Sequence, residues 1–161
     1  PVINHCKGLC GTAVLDKGEL SYDPFAGVAF AIAGVESYDE PHTPVAANVS
    51  AWGGICVVYT SDADINIKLG LSDKKESALG LNVPNYTISE SSDQKVVNIS
   101  WSDFTQNSWG NGESITGADA AKELVYLRFE IQRKEGSYDF NITSVGTYGS
   151  CKAVEKVVVE N

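Results

Sequence analysis

The segment KELVYLRFEIQ at 122–132 constrains the fold more than any other part of this chain, because its alternate residues differ so consistently in character. Successive side chains of a β-strand point to opposite faces of the sheet. One set here is Val125, Leu127, Phe129 and Ile131, an apolar row suited to a core. The other is Tyr126, Arg128, Glu130 and Gln132: a ring, a guanidinium fork, a carboxylate and an amide. That polar row is either an ordinary solvated sheet face or a set of groups for a polyhydroxylated ligand. Such a ligand offers apolar C–H faces to a ring and hydroxyls to planar polar groups.

Strand patterns dominate the rest. Residues 11–16 and 18–22 read as a hairpin turning at Asp16-Lys17-Gly18. The run GVAFAIA at 27–33 predicts a strand covered on both faces, and 34–51 a loop. Strands follow at 53–60 and 64–71. In the second, Ile65, Ile67, Leu69 and Leu71 point inward while Asp64, Asn66 and Lys68 point out. Residues 72–93 are polar and Ser-rich, a loop with one weak strand near 86–89. Further strands are expected at 95–101, 122–132 and 137–145, with a Gly/Asn-rich loop at 102–117 and one helical turn at 117–122. Residues 152–161 form a last strand or the start of a linker. Many short strands with Gly, Asn and Pro turns and little helix predict an all-β antiparallel β-sandwich.

At 161 residues and 43% apolar composition, the chain is expected to be a single domain, 1–161, with its own core. No run of about 18 apolar residues is present to span a membrane. The opening at Pro1, without a signal peptide, suggests a mature or excised piece. A net charge of −9 with scattered basic residues argues against nucleic acid, whose phosphates need clustered Lys and Arg. The four cysteines lack CxxC spacing, which favours disulfides over zinc. Zinc through His5, Cys6 and Cys10 would leave Cys56 and Cys151 without a nearby second ligand. Of three possible pairings, Cys6–Cys10 with Cys56–Cys151 is expected, the alternative being four reduced thiols. Paired cysteines place the protein outside the cytoplasm, secreted or extracellular.

Catalytic motifs are missing: no GxSxG, P-loop, HExxH or dinucleotide fingerprint occurs. His5 and His42 fall in loop or terminal segments. A glycosidase needs two carboxylates about 5–9.5 Å apart, and Glu130 facing Asp139 or Asp64 would supply such a pair. Otherwise these are solvated or ion-paired acids. Trp52 and Trp101, at the edges of apolar strands, read as core or corner residues. Trp109, in QNSWGNG, is either a sugar-stacking platform or a plug for the end of the sandwich. If their strands share a sheet, Asp64, Asn66 and Lys68, the row 126–132, and Asp139 with Asn141 make one polar field.

The pieces VAFAIAG, SAWGGICVVYTSDADINIKLGLSD, VVNISWSDFTQNSWG and ADAAKELVYLRFEIQRKEGSYDFNITSVGTYGSC together resemble a galactose-binding-type jelly roll. This is the fold of non-catalytic carbohydrate-binding modules, in particular one recurring in secreted plant-fibre-degrading enzymes of anaerobic bacteria. There the Cys-rich start, the WGGIC strand and the YGSC end appear together. The resemblance implies a jelly roll that binds plant cell-wall polysaccharide (β-glucan, cellulose or hemicellulose) and targets a covalently linked glycoside hydrolase to it. The residues expected to bind are Tyr126, Arg128, Glu130, Gln132, Trp109, Asp64, Asn66 and Asp139. Related jelly rolls hold a structural Ca²⁺ with an acidic-aromatic first strand and an Asp-Asn-Ile near the last. Here the text is Phe140-Asn141-Ile142 and the first strand is not recognisable, so no cofactor or metal is expected, with a structural Ca²⁺ as the alternative, and part of the fold is placed upstream. Two other readings stand: an extracellular protein-interaction or adhesion module, and a glycan-active enzyme using a carboxylate pair.

Overall fold

In the computed structural model, residues 6–36 and 43–153 are described. His5, His42 and most of the 152–161 tail lie outside them. Eight strands form two four-stranded antiparallel sheets packed face to face as a jelly roll. The first sheet has the order β1-β8-β3-β6, from β1 (Leu9–Leu15), β8 (Gly136–Thr147), β3 (Gly54–Ser61) and β6 (Ser91–Ser100). The second has the order β2-β7-β4-β5, from β2 (Phe25–Ala31), β7 (Tyr126–Gln132), β4 (Ile65–Gly70) and β5 (Asn85–Ile88).

Period-two alternation explains which face each strand buries. In β7, Leu127, Phe129 and Ile131 are buried, as are Ile65, Ile67 and Leu69 in β4. They meet Ile55, Val57 and Tyr59 of β3, Ile99 of β6 and Ile142 of β8 in one core. Phe30 of β2 meets the Phe129 ring edge-on, with centroids 5.6 Å apart. Tyr59 is fully buried yet satisfied, its hydroxyl donating to the Ser89 carbonyl at 2.6 Å. Burial raises its pKa above the ordinary phenol range. Trp101 and Phe104 close one end of the core, the indole N–H donating to the Val49 carbonyl. The WGGIC text also has a local reason. Gly54 has φ 149, and a Cβ there would lie 2.1 Å from the Ile99 carbonyl oxygen, so only glycine lets β3 start against β6.

Three expectations are corrected. The turn at 16–18 forms, with the Gly18 N–H donating to Asp16 Oδ1 at 2.9 Å. No hairpin follows: β1 pairs with β8, and residues 16–24 cross to the opposite sheet, where β2 pairs with β7. GVAFAIA is not covered on both faces. It belongs to edge strand β2, and reads as continuously apolar because its outward residues, Gly27, Ala29 and Ala31, are small. Residues 72–93 contain a helix, Asp73–Ala78, too short to announce itself by periodicity. The weak strand, the helical turn (Gly117–Ala120) and the 137–145 strand are where expected, and β7 itself starts at Tyr126.

Both disulfides are those expected: Cys6–Cys10, with Cα atoms 6.4 Å apart, and Cys56–Cys151, with 5.8 Å. The second links β3 to the end of the described fold across 95 residues of sequence. Closing so long a loop removes much chain entropy from the unfolded state. Replacing Cys56 and Cys151 together by Ser should therefore lower unfolding free energy by about 2–5 kcal/mol, measured by urea denaturation, with an unchanged far-ultraviolet spectrum. An unchanged denaturation midpoint would show that the bridge does not stabilise the fold.

Candidate functional site

The outward face of the second sheet carries the residues singled out by alternation. Strand register sets them in rungs. Gly27, Glu130, Asn66 and Thr87 lie across one, and Ala29, Arg128, Lys68 and Asn85 across the next. Ala31, Tyr126 and Gly70 form a third, and Phe25 stands opposite Gln132 at the end. Because β2 contributes only Gly27, Ala29 and Ala31 beyond Phe25, the face has a trough along it. Arg128 and Glu130 wall one side, and Phe25, 57% exposed, stands at the rim.

Gly27 and Gly70 are constrained by these neighbours. A Cβ at Gly27 would fall 2.8 Å from the Glu130 side chain, and one at Gly70 3.1 Å from the Arg128 guanidinium. The guanidinium therefore packs close over Gly70, and its carbon stands over the Tyr126 ring, 5.7 Å from the centroid. It donates twice to Glu76 of the helix Asp73–Ala78, at 3.0 and 2.6 Å. Glu76 is buried and also accepts the Leu71 N–H at 2.8 Å. Beside this pair, Lys68 forms an ion pair with Glu130. Asn66 Nδ2 donates to Asn85 Oδ1 and Thr87 Oγ1, while its Oδ1 is buried without a partner. The trough thus holds amides, a hydroxyl, two internally neutralised ion pairs and an aromatic rim. Its chemistry suits an uncharged hydroxyl-rich ligand.

The structure brings together Tyr126, Arg128, Glu130, Gln132 and Asn66 from the expected set. Asp64 lies at the corner before β4, where its carboxylate accepts the Glu90 N–H. Asp139 and Asn141 do not join the field. They are on β8 in the other sheet, where Thr12 donates to Asp139 and Asn141 donates to the Cys6 carbonyl. Alternation along β8 predicts their facing side but not which strands flank it, and β1 and β3 do. The same placement removes Asp139 as a carboxylate partner for Glu130, which pairs with Lys68. Trp109 is 64% exposed, so it does not plug the sandwich; Trp101 does lie in the core, and Trp52 is a half-exposed corner residue.

Phe25 was not singled out from sequence. Its only signal is position: it stands one strand period before Gly27, on the side of β2 that lacks bulky residues. Glu76 was missed because its helix was. At 140–142 the Asn141 amide donates to the Cys6 carbonyl while its Oδ1 is buried without a hydrogen-bond partner. Phe140, where the related pattern has Asp, packs against the core. Among the described residues, no three His, Cys, Asp or Glu side chains gather as metal ligands, and no helix is long and apolar enough to cross a membrane.

No protein-family model matches the sequence, and no curated protein is detectably similar to it. Solved structures are similar in shape. The family 11 carbohydrate-binding module of the cellulosomal cellulase Lic26A-Cel5E of Clostridium thermocellum superposes with a TM-score of 0.52 at 17% identity, over 87% of this chain and 82% of that one. The family 11 module from Clostridium thermocellum in complex with a β-1,3-1,4-mixed-linked tetrasaccharide gives 0.48 at 13% identity, over 89% and 86%. The first likeness shows the fold alone: this chain is a jelly-roll β-sandwich.

The two ion pairs of the trough are similarly shielded from water but differ in geometry: Arg128 meets Glu76 through two hydrogen bonds, and the same carboxylate accepts the Leu71 N–H, which yields a stability test. Arg128→Ala leaves the buried Glu76 carboxylate unpaired and should cost about 3 kcal/mol. Lys68→Ala removes one ion-pair contact rather than a bidentate pair and should cost less, about 1 kcal/mol. Urea denaturation of both variants measures the difference, and equal losses would contradict the argument from bidentate geometry.

Proposed function

We propose that this protein is a non-catalytic carbohydrate-binding module whose ligand lies in the trough of the second sheet. The observation that carries this reading is the pairing of small β2 residues, Gly27 and Ala29, with the polar rungs of β7, β4 and β5. An open trough with its polar groups already ordered binds a chain of sugar rings without first organising its own side chains. Phe25 and Tyr126 supply aromatic surface to ring C–H faces, and Thr87 and Arg128 supply hydroxyl partners. An Arg has five N–H donors; two serve Glu76, leaving others for the ligand. The ligand class is plant cell-wall polysaccharide: β-glucan, cellulose or hemicellulose. The fold of a cellulase-borne module and two disulfides support a secreted protein that holds a linked glycoside hydrolase on its substrate, raising effective concentration.

One observation favours a second reading, protein interaction. Between the sheets, Phe30, Ile32, Trp52, Leu127 and Val145 line an apolar groove open to solvent. Affinity electrophoresis against soluble glucans, xylans and mannans separates the two. The carbohydrate reading expects retardation in at least one gel. Phe25→Ala and Tyr126→Ala should each weaken that binding about five- to a hundredfold, since a lost stacking ring costs on the order of 1–3 kcal/mol. Both are surface truncations, so thermal unfolding should shift little. Full affinity in a folded Phe25/Tyr126 double variant would place the sugar elsewhere, and no retardation of the wild type would favour the interaction reading.

A further inference from the structure

The turn after the helix Asp73–Ala78 carries a strain and an exposure that the core does not explain. The Gly80 N–H donates to the Ser77 carbonyl at 3.1 Å and the Leu81 N–H to the Glu76 carbonyl at 2.8 Å, with Gly80 at φ 63. In this type of helix ending, an apolar residue after the glycine commonly folds back onto the last turn. Leu81 does not. It too is left-handed, at φ 63, and is 72% exposed. That conformation is disfavoured for a residue with a Cβ and is borne easily by glycine or asparagine. A strained backbone holding a leucine in water is a reason to look for what it touches.

Trp109 stands on the adjoining loop, and the two loops are locked together. Asn82 Nδ2 donates to the Asn107 carbonyl at 2.7 Å, and the Asn107 N–H returns to Asn82 Oδ1 at 2.9 Å. Gln106 Nε2 donates to the Asn82 carbonyl at 2.6 Å, and the Glu113 N–H to the Ala78 carbonyl at 2.9 Å. A Cβ at Gly110 would lie 2.0 Å from Asn82 Nδ2, and one at Gly112 2.1 Å from the Leu79 carbonyl carbon. Leu81 and Trp109 are therefore held outward by an ordered frame. The text around the indole, QNSWGNG at 106–112, has amides and a hydroxyl but no charge.

This frame joins the trough directly. The carbonyl of Glu76 holds Leu81, while its carboxylate holds Arg128 in the trough. On the other side, Asn85 accepts from Asn66 in the trough and donates to the Thr105 carbonyl at the start of the Trp109 loop. We infer that Leu81 and Trp109 form an apolar lip that receives additional sugar rings of a chain already lying in the trough. The indole stacks on a ring C–H face and the surrounding amides meet its hydroxyls. This rests on the trough being the glycan site and extends it: the preferred ligand is an elongated, uncharged polysaccharide rather than a short oligosaccharide.

Leu81→Gly and Trp109→Ala test the lip. Each is run in gels containing mixed-linkage β-glucan, xylan or glucomannan, and titrated calorimetrically with the tetrasaccharide released from the retained polymer. Polymer binding should weaken about three- to thirtyfold in each variant, with tetrasaccharide binding unchanged. Leu81→Gly should also leave the melting temperature the same or raise it, because glycine relieves the left-handed strain. A purely structural role for Leu81 predicts the opposite sign. Unchanged polymer binding, in the presence of losses at Phe25→Ala and Tyr126→Ala, would overturn the lip and leave the trough standing. Equal losses for tetrasaccharide and polymer would also overturn it, assigning both residues to the trough itself. A wild type retained by no polysaccharide would overturn trough and lip together.

Discussion

Burial of the inner row of β7 is the constraint on which the rest depends. Leu127, Phe129 and Ile131 are almost wholly removed from water between the two sheets. Fully burying side chains of this size contributes roughly 1.5–3 kcal/mol each, and a one-residue slip would turn all three toward solvent. Once the core has set that rotation, Tyr126, Arg128 and Glu130 have no freedom left in where they point. The site is thus a consequence of the core, and its precision is inherited from packing. The helix Asp73–Ala78 adds the remaining constraint by bringing Glu76 over the same face.

Charge in the trough follows from this arrangement. The chain has a net charge of −9, yet the two cations facing the trough, Lys68 and Arg128, are each matched by a carboxylate. Pairing leaves the trough close to neutral while keeping the guanidinium fixed as a planar hydrogen-bond donor. A flexible, unpaired arginine would have to lose rotamer freedom on binding, which costs affinity. Under the proposed reading, a neutral, ordered, partly aromatic trough would favour hydroxyl-rich ligands over strongly charged ones.

What could be read from sequence was what local alternation encodes. The two-faced character of β7 and β4 follows from side-chain period alone, and so the rows Tyr126-Arg128-Glu130 and Asn66-Lys68 were legible. What alternation lacks is partner choice. Asp139 has the right period to join them, but β8 is flanked by β1 and β3, a long-range pairing that no short segment specifies. GVAFAIA misled for a related reason: alanine and glycine count as apolar whether they are buried or simply small. Their smallness, which makes the trough, was the signal. Glu76 was hidden by a six-residue helix, and Phe25 by the loop-like text before it. The Cys56–Cys151 pairing had no local signature beyond cysteine count and the resemblance to a module with both ends of that bridge.

The central claim is that a glycan chain lies on the outer face of the second sheet. Amide chemical-shift mapping during titration with oligosaccharides from the retained polymer tests it most directly. The account predicts shifts concentrated at Gly27, Ala29, Asn66, Lys68, Arg128 and Glu130. Shifts concentrated instead at Thr12, Thr60 and Asp139, on the outer face of the first sheet, would contradict it.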